Sequence, residues 1–235
     1  MKIGLLDILY PRKCVFCREL LRIESENWVC KDCLKEIEYI TGNTCPRCGK
    51  PIEQKIKACY ECRGFENFFT HNHALFTYEG MIRDAIRRFK YNRSPQHSKY
   101  FAEVLTNKFY DEIIQHDFLI GVPMYKAKIK GRGFNQADLL AKEISLLTSV
   151  PTLHNILLRT KNTKPQNALN RADRLGNLTN AFSLASNKII EGKAILLVDD
   201  IYTTGSTINE CARVLRIAGA KEVNSITISV VEYLE

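Results

Sequence analysis

The stretch Leu196-Leu-Val-Asp-Asp-Ile-Tyr-Thr-Thr-Gly-Ser-Thr207 decides the fold. An uninterrupted apolar run, Ala194 to Val198, has the length and composition of a buried strand. It ends in two adjacent carboxylates, Asp199 and Asp200, which are expected at a strand end facing solvent. A loop of small hydroxyl residues, Thr203 to Thr207, follows and opens a helix. The start of a helix offers free N–H groups and a positive dipole end to a phosphate. Gly205 lets the backbone approach that phosphate closely, and Thr203, Thr204, Ser206 and Thr207 add hydroxyl donors. The two acids can accept hydrogen bonds from vicinal hydroxyls, as on a ribose. A plain strand and an N-capped helix, with Ser206 as the cap, is the simpler alternative. It explains Ser206 but not two acids followed by Thr-Thr-Gly. Neither G-x-x-x-x-G-K-[ST] nor G-x-G-x-x-G occurs in the chain, which excludes a P-loop and a dinucleotide fingerprint.

Outward from this stretch the pattern alternates. Residues 73–78 and 118–123 have strand composition, as do the two ends of 156–184 and the segment 223–231. Between them lie helical stripes: Ile82, Ile86 and Phe89; Phe101, Leu105, Phe109 and Ile113; Phe134, Ala137, Ala141, Ile144 and Leu147; Ile208, Cys211, Ala212 and Leu215. Strands alternating with helices predict an α/β fold, a mostly parallel sheet covered on both faces. Ligands of such sheets bind beyond the carboxyl ends of the strands. Cys211 reads as a small core residue. The five histidines share no spacing and carry no assigned role.

The front of the chain differs. Eight of nine cysteines fall in four Cys-x-x-Cys pairs before residue 63: Cys14/Cys17, Cys30/Cys33, Cys45/Cys48 and Cys59/Cys62. Two residues between sulfurs let one tight turn present both to a tetrahedral ion. Four such pairs exceed what a redox motif needs. Spacing leaves two pairings open, sequential or cross-braced. The sequential one is expected because each short loop closes cheaply. Each site then has four sulfurs and no open position, which makes two structural zinc ions. Gly49 follows Cys48, where a knuckle favours positive φ; the matching position after Cys17 is Arg18, a departure. Phe16 and Trp28 are expected to cover the metal turns. Domains are expected at 1–66 (double zinc ribbon) and 67–235, each with its own stabilising interactions.

The chain has 235 residues and a formal charge of +8. Eight thiolates and two Zn²⁺ would lower that to about +4. The excess positive charge lies on residues 67–235, with 22 Lys+Arg against 16 Asp+Glu, so anions are expected there. A 45% hydrophobic content argues against disorder. The longest apolar runs are about five residues, far below the roughly 20 of a membrane helix. The first residues, broken by Asp7 and Pro11, lack a signal-peptide core. The expectation is a cytoplasmic protein with no membrane insertion.

The acidic pair and the Thr203–Thr207 loop resemble the motif by which type I phosphoribosyltransferases bind phosphoribosyl pyrophosphate (PRPP). The resemblance implies ribose on Asp199 and Asp200 and the 5′-phosphate on Thr203, Thr204, Gly205, Ser206 and Thr207. Residues 120–141, with their VP and RGFNQ segments, resemble the ComF family of bacterial competence proteins in its ComFC form. So do FKYNR at 89–93, the run from Arg159 to Gln166 with Arg171, Asn177 and Phe182, and the cysteine-rich front. The implied pyrophosphate loop is Met124, Tyr125 and Lys126, with Lys128, Lys130 and Arg132 adding charge for a pyrophosphate–magnesium group. Residues 159–174 match the mobile loop that covers such sites, with Lys161, Lys164 and Arg171 as its candidates. Relatives of this fold that use 6-oxopurines carry Asp where this chain has Thr203, which argues against purine salvage.

Two functional classes follow. One is a magnesium-dependent phosphoribosyltransferase with an unassigned nitrogenous acceptor. The other is a non-catalytic single-stranded-DNA-binding or adaptor module of the DNA-uptake machinery, for which the family implies a helicase-like competence ATPase as partner. Residues 83–132 hold 11 Lys+Arg against five Asp+Glu, with Phe89, Tyr91, Tyr100 and Tyr125 interleaved. That composition suits single-stranded DNA and PRPP alike.

Overall fold

The computed structural model describes residues 11–22, 27–54, 57–63, 67–91, 96–161, 180–186 and 188–232. Its elements run α1 (Lys31–Glu36), a 3₁₀ turn (Tyr60–Cys62), β1 (Asn72–Thr77), α2 (Gly80–Tyr91), α3 (Gln96–Ile113), β2 (Phe118–Gly121), α4 (Lys126–Arg132), α5 (Gln136–Thr148), β3 (Leu157–Arg159), β4 (Phe182–Leu184), β5 (Ala194–Tyr202), α6 (Ser206–Ile217) and β6 (Glu222–Val230). Four parallel strands form the central sheet in the order β1-β6-β5-β2, and β3 pairs antiparallel with β4. This is the α/β arrangement that the sequence predicts.

Period-two alternation along β5 divides the core. Leu196 and Val198 point to a cluster that holds Ile86 and Phe89 of α2, Phe101 and Leu105 of α3, and Leu140 and Ile144 of α5. Ile195 and Leu197 point to the opposite cluster, with Ile208, Cys211 and Leu215 of α6 and Leu157 and Phe182 of the hairpin. Cys211 is fully buried, as a core residue should be.

Each cluster also takes in one cysteine module. Cys14, Val15, Phe16 and Cys33 belong to the first, and Cys45, Cys48 and Cys62 to the second. The front of the chain also closes one edge of the sheet. Asn72 of β1 donates its N–H to the Arg47 carbonyl at 2.8 Å, and Ile40 donates to the Leu75 carbonyl at 2.8 Å. Unpaired strand groups are thereby satisfied. The other edge, β2, is covered by Pro151 and Leu153. The expectation of separately stabilised halves is therefore corrected: the cysteine modules share both cores with the sheet. The expected boundary after residue 66 abuts residues 64–66, which lie outside the described residues.

Phe16 and Trp28 do more than cover metal turns. The Phe16 ring meets Tyr100 edge-on at 5.5 Å, and Trp28 Nε1 donates to Glu103 Oε1 at 3.2 Å, so both dock the first module on α3. Two helix faces also differ from the pattern. Leu147 is exposed, because α5 buries Ala137, Leu140, Ala141, Ile144 and Thr148 instead. Phe109 departs from helical geometry inside α3 (φ −125°, ψ 31°).

Candidate functional site

The eight paired cysteines form two clusters, Cys14/Cys17/Cys30/Cys33 and Cys45/Cys48/Cys59/Cys62, with each set of sulfurs within 4.8 Å of one another. The pairing is sequential. Cys17 Sγ to Cys30 Sγ is 3.7 Å, and so is Cys48 Sγ to Cys59 Sγ. A tetrahedral ion with Zn–S bonds of about 2.3 Å requires sulfurs about 3.8 Å apart, so both sets fit zinc. The two modules share most of their bonds, the first continuing into a short helix after Cys30 and the second into a 3₁₀ turn after Cys59. Cys14 N–H reaches the Glu19 carbonyl and Cys45 N–H the Lys50 carbonyl, both at 2.8 Å. Cys30 N–H donates to Cys14 Sγ at 3.4 Å, and Cys59 N–H to Cys45 Sγ at 3.3 Å. Gly49 has φ +74°, and Arg18 takes the same left-handed turn at φ +70°. Only the second needs glycine for space. A Cβ at Gly49 would run into the Asn72 carbonyl of β1.

At the carboxyl end of the sheet lies a cavity of about 180 Å³, lined by Lys90, Asp199, Asp200, Ile201, Tyr202, Thr203, Gly205, Thr207 and Ile208. Strand β5 does not stop at Val198. It stays paired with β6 through Tyr202, so the ladder and not the apolar run sets its end. The acids therefore sit within the strand and alternate across it. Asp200 is only 4% exposed, contrary to the expectation of a solvent-facing pair. Its Oδ1 lies 3.0 Å from Lys90 Nζ, and its Oδ2 accepts from Gln136 Nε2 at 2.9 Å. Asp199 is partly buried, and its Oδ1 accepts from the Asp200 N–H at 2.8 Å. Burial, then the charge of Asp200, pushes the Asp199 carboxyl up to about 7. Burial opposes the charge of Lys90, but Asp200 and Asp199 outweigh it and hold the ammonium above its ordinary range.

The loop continues as the sequence predicts, with a different cap. Gly205 is the N-cap of α6 at φ +76° and has no side chain to cap with. A Cβ at Gly205 would run into the Tyr202 ring. Ser206 is the first helical residue. Its hydroxyl lies 2.8 Å from that of Thr204, and neither residue lines the cavity, whereas Thr203, Gly205 and Thr207 do. The Thr204 hydroxyl also accepts from the Ser206 N–H at 3.5 Å, a long bond that an anion at the start of α6 would share or displace.

Met124, Tyr125 and Lys126 follow β2 beside β5, where Val122 N–H reaches the Val198 carbonyl at 2.9 Å. They do not line this cavity. The bases after them lie on helix α4, not in a loop. Lys126 and Lys130 share one helical face and Lys128 and Arg132 another, so the four do not converge on one point. Arg132 donates to Gln136 Oε1 and lies 5.0 Å over the exposed Tyr91 ring. Of the mobile-loop candidates Lys161 is exposed, and Lys164 and Arg171 lie outside the described residues. Lys90 and Gln136 were present in the FKYNR and RGFNQ segments, but nothing in their spacing points to Asp200. Glu210 of α6 carried no signal. It accepts from Asn180 N–H at 2.8 Å and pairs with Arg213, tying the start of β4 to the helix.

Comparison with known proteins now bears on this geometry. Residues 5–63 match the double zinc ribbon domain and residues 129–229 the phosphoribosyl transferase domain. The chain is 34% identical over 217 residues to competence protein F of Haemophilus influenzae, covering 90% of this chain and 93% of that one. The chain belongs to the ComF family. Competence protein ComFC of Bacillus subtilis is 31% identical over 222 residues, with 90% and 88% covered. A DNA utilization protein of Escherichia coli K12, YhgH, is 29% identical over 220 residues, with 91% and 94% covered. This ComF chain thus joins a double zinc ribbon to a phosphoribosyltransferase-like sheet. No helix among its described residues is long and apolar enough to cross a membrane.

Proposed function

We propose that this ComF protein binds PRPP at the carboxyl end of its sheet and acts in bacterial DNA uptake as a phosphoribosyltransferase with a nitrogenous acceptor. The observation that carries the reading is the joint presence, in one cavity, of the start of α6, the left-handed Gly205 and the carboxylates of β5. The N–H groups at the start of α6 suit the 5′-phosphate, and a β5 carboxylate suits the ribose hydroxyls. Met124, Tyr125 and Lys126, with the cations of α4, suit the pyrophosphate. Thr203 supplies no carboxylate as general base, so positioning and water exclusion would carry the rate. The role in DNA uptake rests on the names of the relatives, two competence proteins and a DNA utilization protein.

Magnesium belongs to this reading as the ion that travels with PRPP. Among the described residues the clusters able to hold a metal are the two cysteine sets. The acidic pair does not fit a resident magnesium ion, because Lys90 and Gln136 occupy both oxygens of Asp200.

A second reading, a single-stranded-DNA module, is favoured by one observation. Tyr91 is 70% exposed, with Arg132 stacked on it and exposed lysines of α4 beyond. Such a platform can stack a base. Calorimetric titration with PRPP and magnesium, then with single-stranded DNA, separates the readings. PRPP binding lost in an Asp199→Asn/Asp200→Asn variant, with DNA binding retained, supports the first. No PRPP binding, with DNA binding that weakens steeply with salt, supports the second.

A further inference from the structure

The two adjacent acids differ in their engagement. Asp200 has both oxygens occupied, one by the Lys90 ammonium at 3.0 Å and one by the Gln136 amide at 2.9 Å. Gln136 is held in turn by Arg132. The side chains of Lys90 and Asp200 are 20% and 6% exposed, so this ion pair is sheltered from water. A sheltered charge pair in good geometry is not easily opened, since removing one partner strands the other. Asp199 differs. One of its oxygens takes the Asp200 N–H, and the other has no hydrogen-bond or ion-pair partner among the described residues. Both acids and Lys90 border the same cavity.

We infer that the site carries its own cation: Lys90 neutralises Asp200 and locks it with Gln136, so that Asp199 alone addresses the sugar and a monophosphorylated sugar binds without a divalent metal. This rests on the phosphoribosyl reading and divides the labour within it. Lys90 is a positioning residue. It leaves one carboxyl group, not two, open beside the phosphate cradle of α6. It also takes the place against Asp200 that a divalent ion would need. Any magnesium requirement then belongs to the pyrophosphate of PRPP and not to the ribose and 5′-phosphate.

The test uses the full chain with its zinc in place and ribose 5-phosphate as probe, titrated with and without millimolar magnesium. The wild-type affinity is expected to change less than about twofold on adding magnesium, and Asp199→Asn to lose at least about tenfold, the scale of one charged hydrogen bond. Lys90→Met, which frees the Asp200 carboxylate, is expected to bind more weakly without magnesium and to recover with it. Lys90→Arg keeps the cation and should stay insensitive to magnesium. In Lys90→Met/Asp200→Asn both charges are gone, and the magnesium response should vanish. That neutral pair also carries the comparison if Lys90→Met alone does not fold. Wild-type binding that requires magnesium, or a magnesium response that survives in the double variant, overturns the inference while leaving the phosphoribosyl reading in place. Failure of both ribose 5-phosphate and PRPP to bind overturns the two together.

Discussion

The two cysteine modules share their first turns and most of their backbone bonds, yet they sit against different parts of the molecule. The first lies against α2 and α3, through Phe16 on Tyr100 and Phe101 and through Arg88, which donates to the Val15 carbonyl. The second lies beneath the Thr203–Thr207 loop and shares its core with Tyr202. The residues just after it add to this contact: Phe69 meets the Tyr202 ring at 6.2 Å, Tyr202 supports Gly205, and Phe68 N–H donates to Asn209 of α6 at 2.8 Å. One local design therefore serves two ends. The first module braces a helical layer, and the second braces the candidate site. The largest effect should come from removing either zinc site. Cys14→Ser/Cys17→Ser and Cys45→Ser/Cys48→Ser should each cost on the order of 10 kcal/mol, comparable with the whole stability of a domain. Zinc content and thermal unfolding would register both losses. PRPP titration of the fraction that remains folded should separate them, with affinity kept in the first variant and lost in the second. Equal loss of affinity in both would break the comparison.

Phe16→Ala gives the next effect, about 3–5 kcal/mol of stability, because the ring is 4% exposed and wedged between Tyr100 and Phe101. Denaturant unfolding should show it, with PRPP affinity unchanged. A third effect lies in pH. With the Asp199 carboxyl pushed up to about 7, against about 3.9 unfolded, the folded state retains a proton that the unfolded state has lost. Stability should fall as pH rises from about 4 to 7 and then level off. In Asp199→Asn that decline should shrink, so the variant should melt above the wild type at pH 8 and near it at pH 4. Melting curves that run parallel at both pH values would contradict the assignment. The last effect belongs to Gly205→Ala, where the left-handed turn alone costs about 1–2 kcal/mol and the new side chain also forces Tyr202 to shift. On the PRPP reading this turn is the proposed cradle, so PRPP affinity should fall with it.

The cysteine modules were legible because a metal site writes its geometry into close spacing. Cys14 and Cys17, or Cys59 and Cys62, need only local chain to meet. The sheet was legible because Ala194 to Val198 is too apolar for anything but a buried strand. What lies between distant segments was not. The end of β5 is set by Ser229 and Val230 of β6, which keep Ile201 and Tyr202 paired. The state of Asp200 is set by Lys90, 110 positions away, and by Gln136. The alternating bases of 126–132 read as one charged loop until helix α4 divides them between two faces. Shared cores, too, have no signature in the sequence of either half.

A crystal structure with PRPP bound tests the central claim most directly. The account predicts the 5′-phosphate within hydrogen-bond reach of the backbone N–H groups of residues 205–207. It also predicts the ribose hydroxyls on Asp199, with the Lys90–Asp200 pair intact behind them. Ligand bound away from this cavity, or a ribose seated on Asp200 with Lys90 displaced, would contradict it.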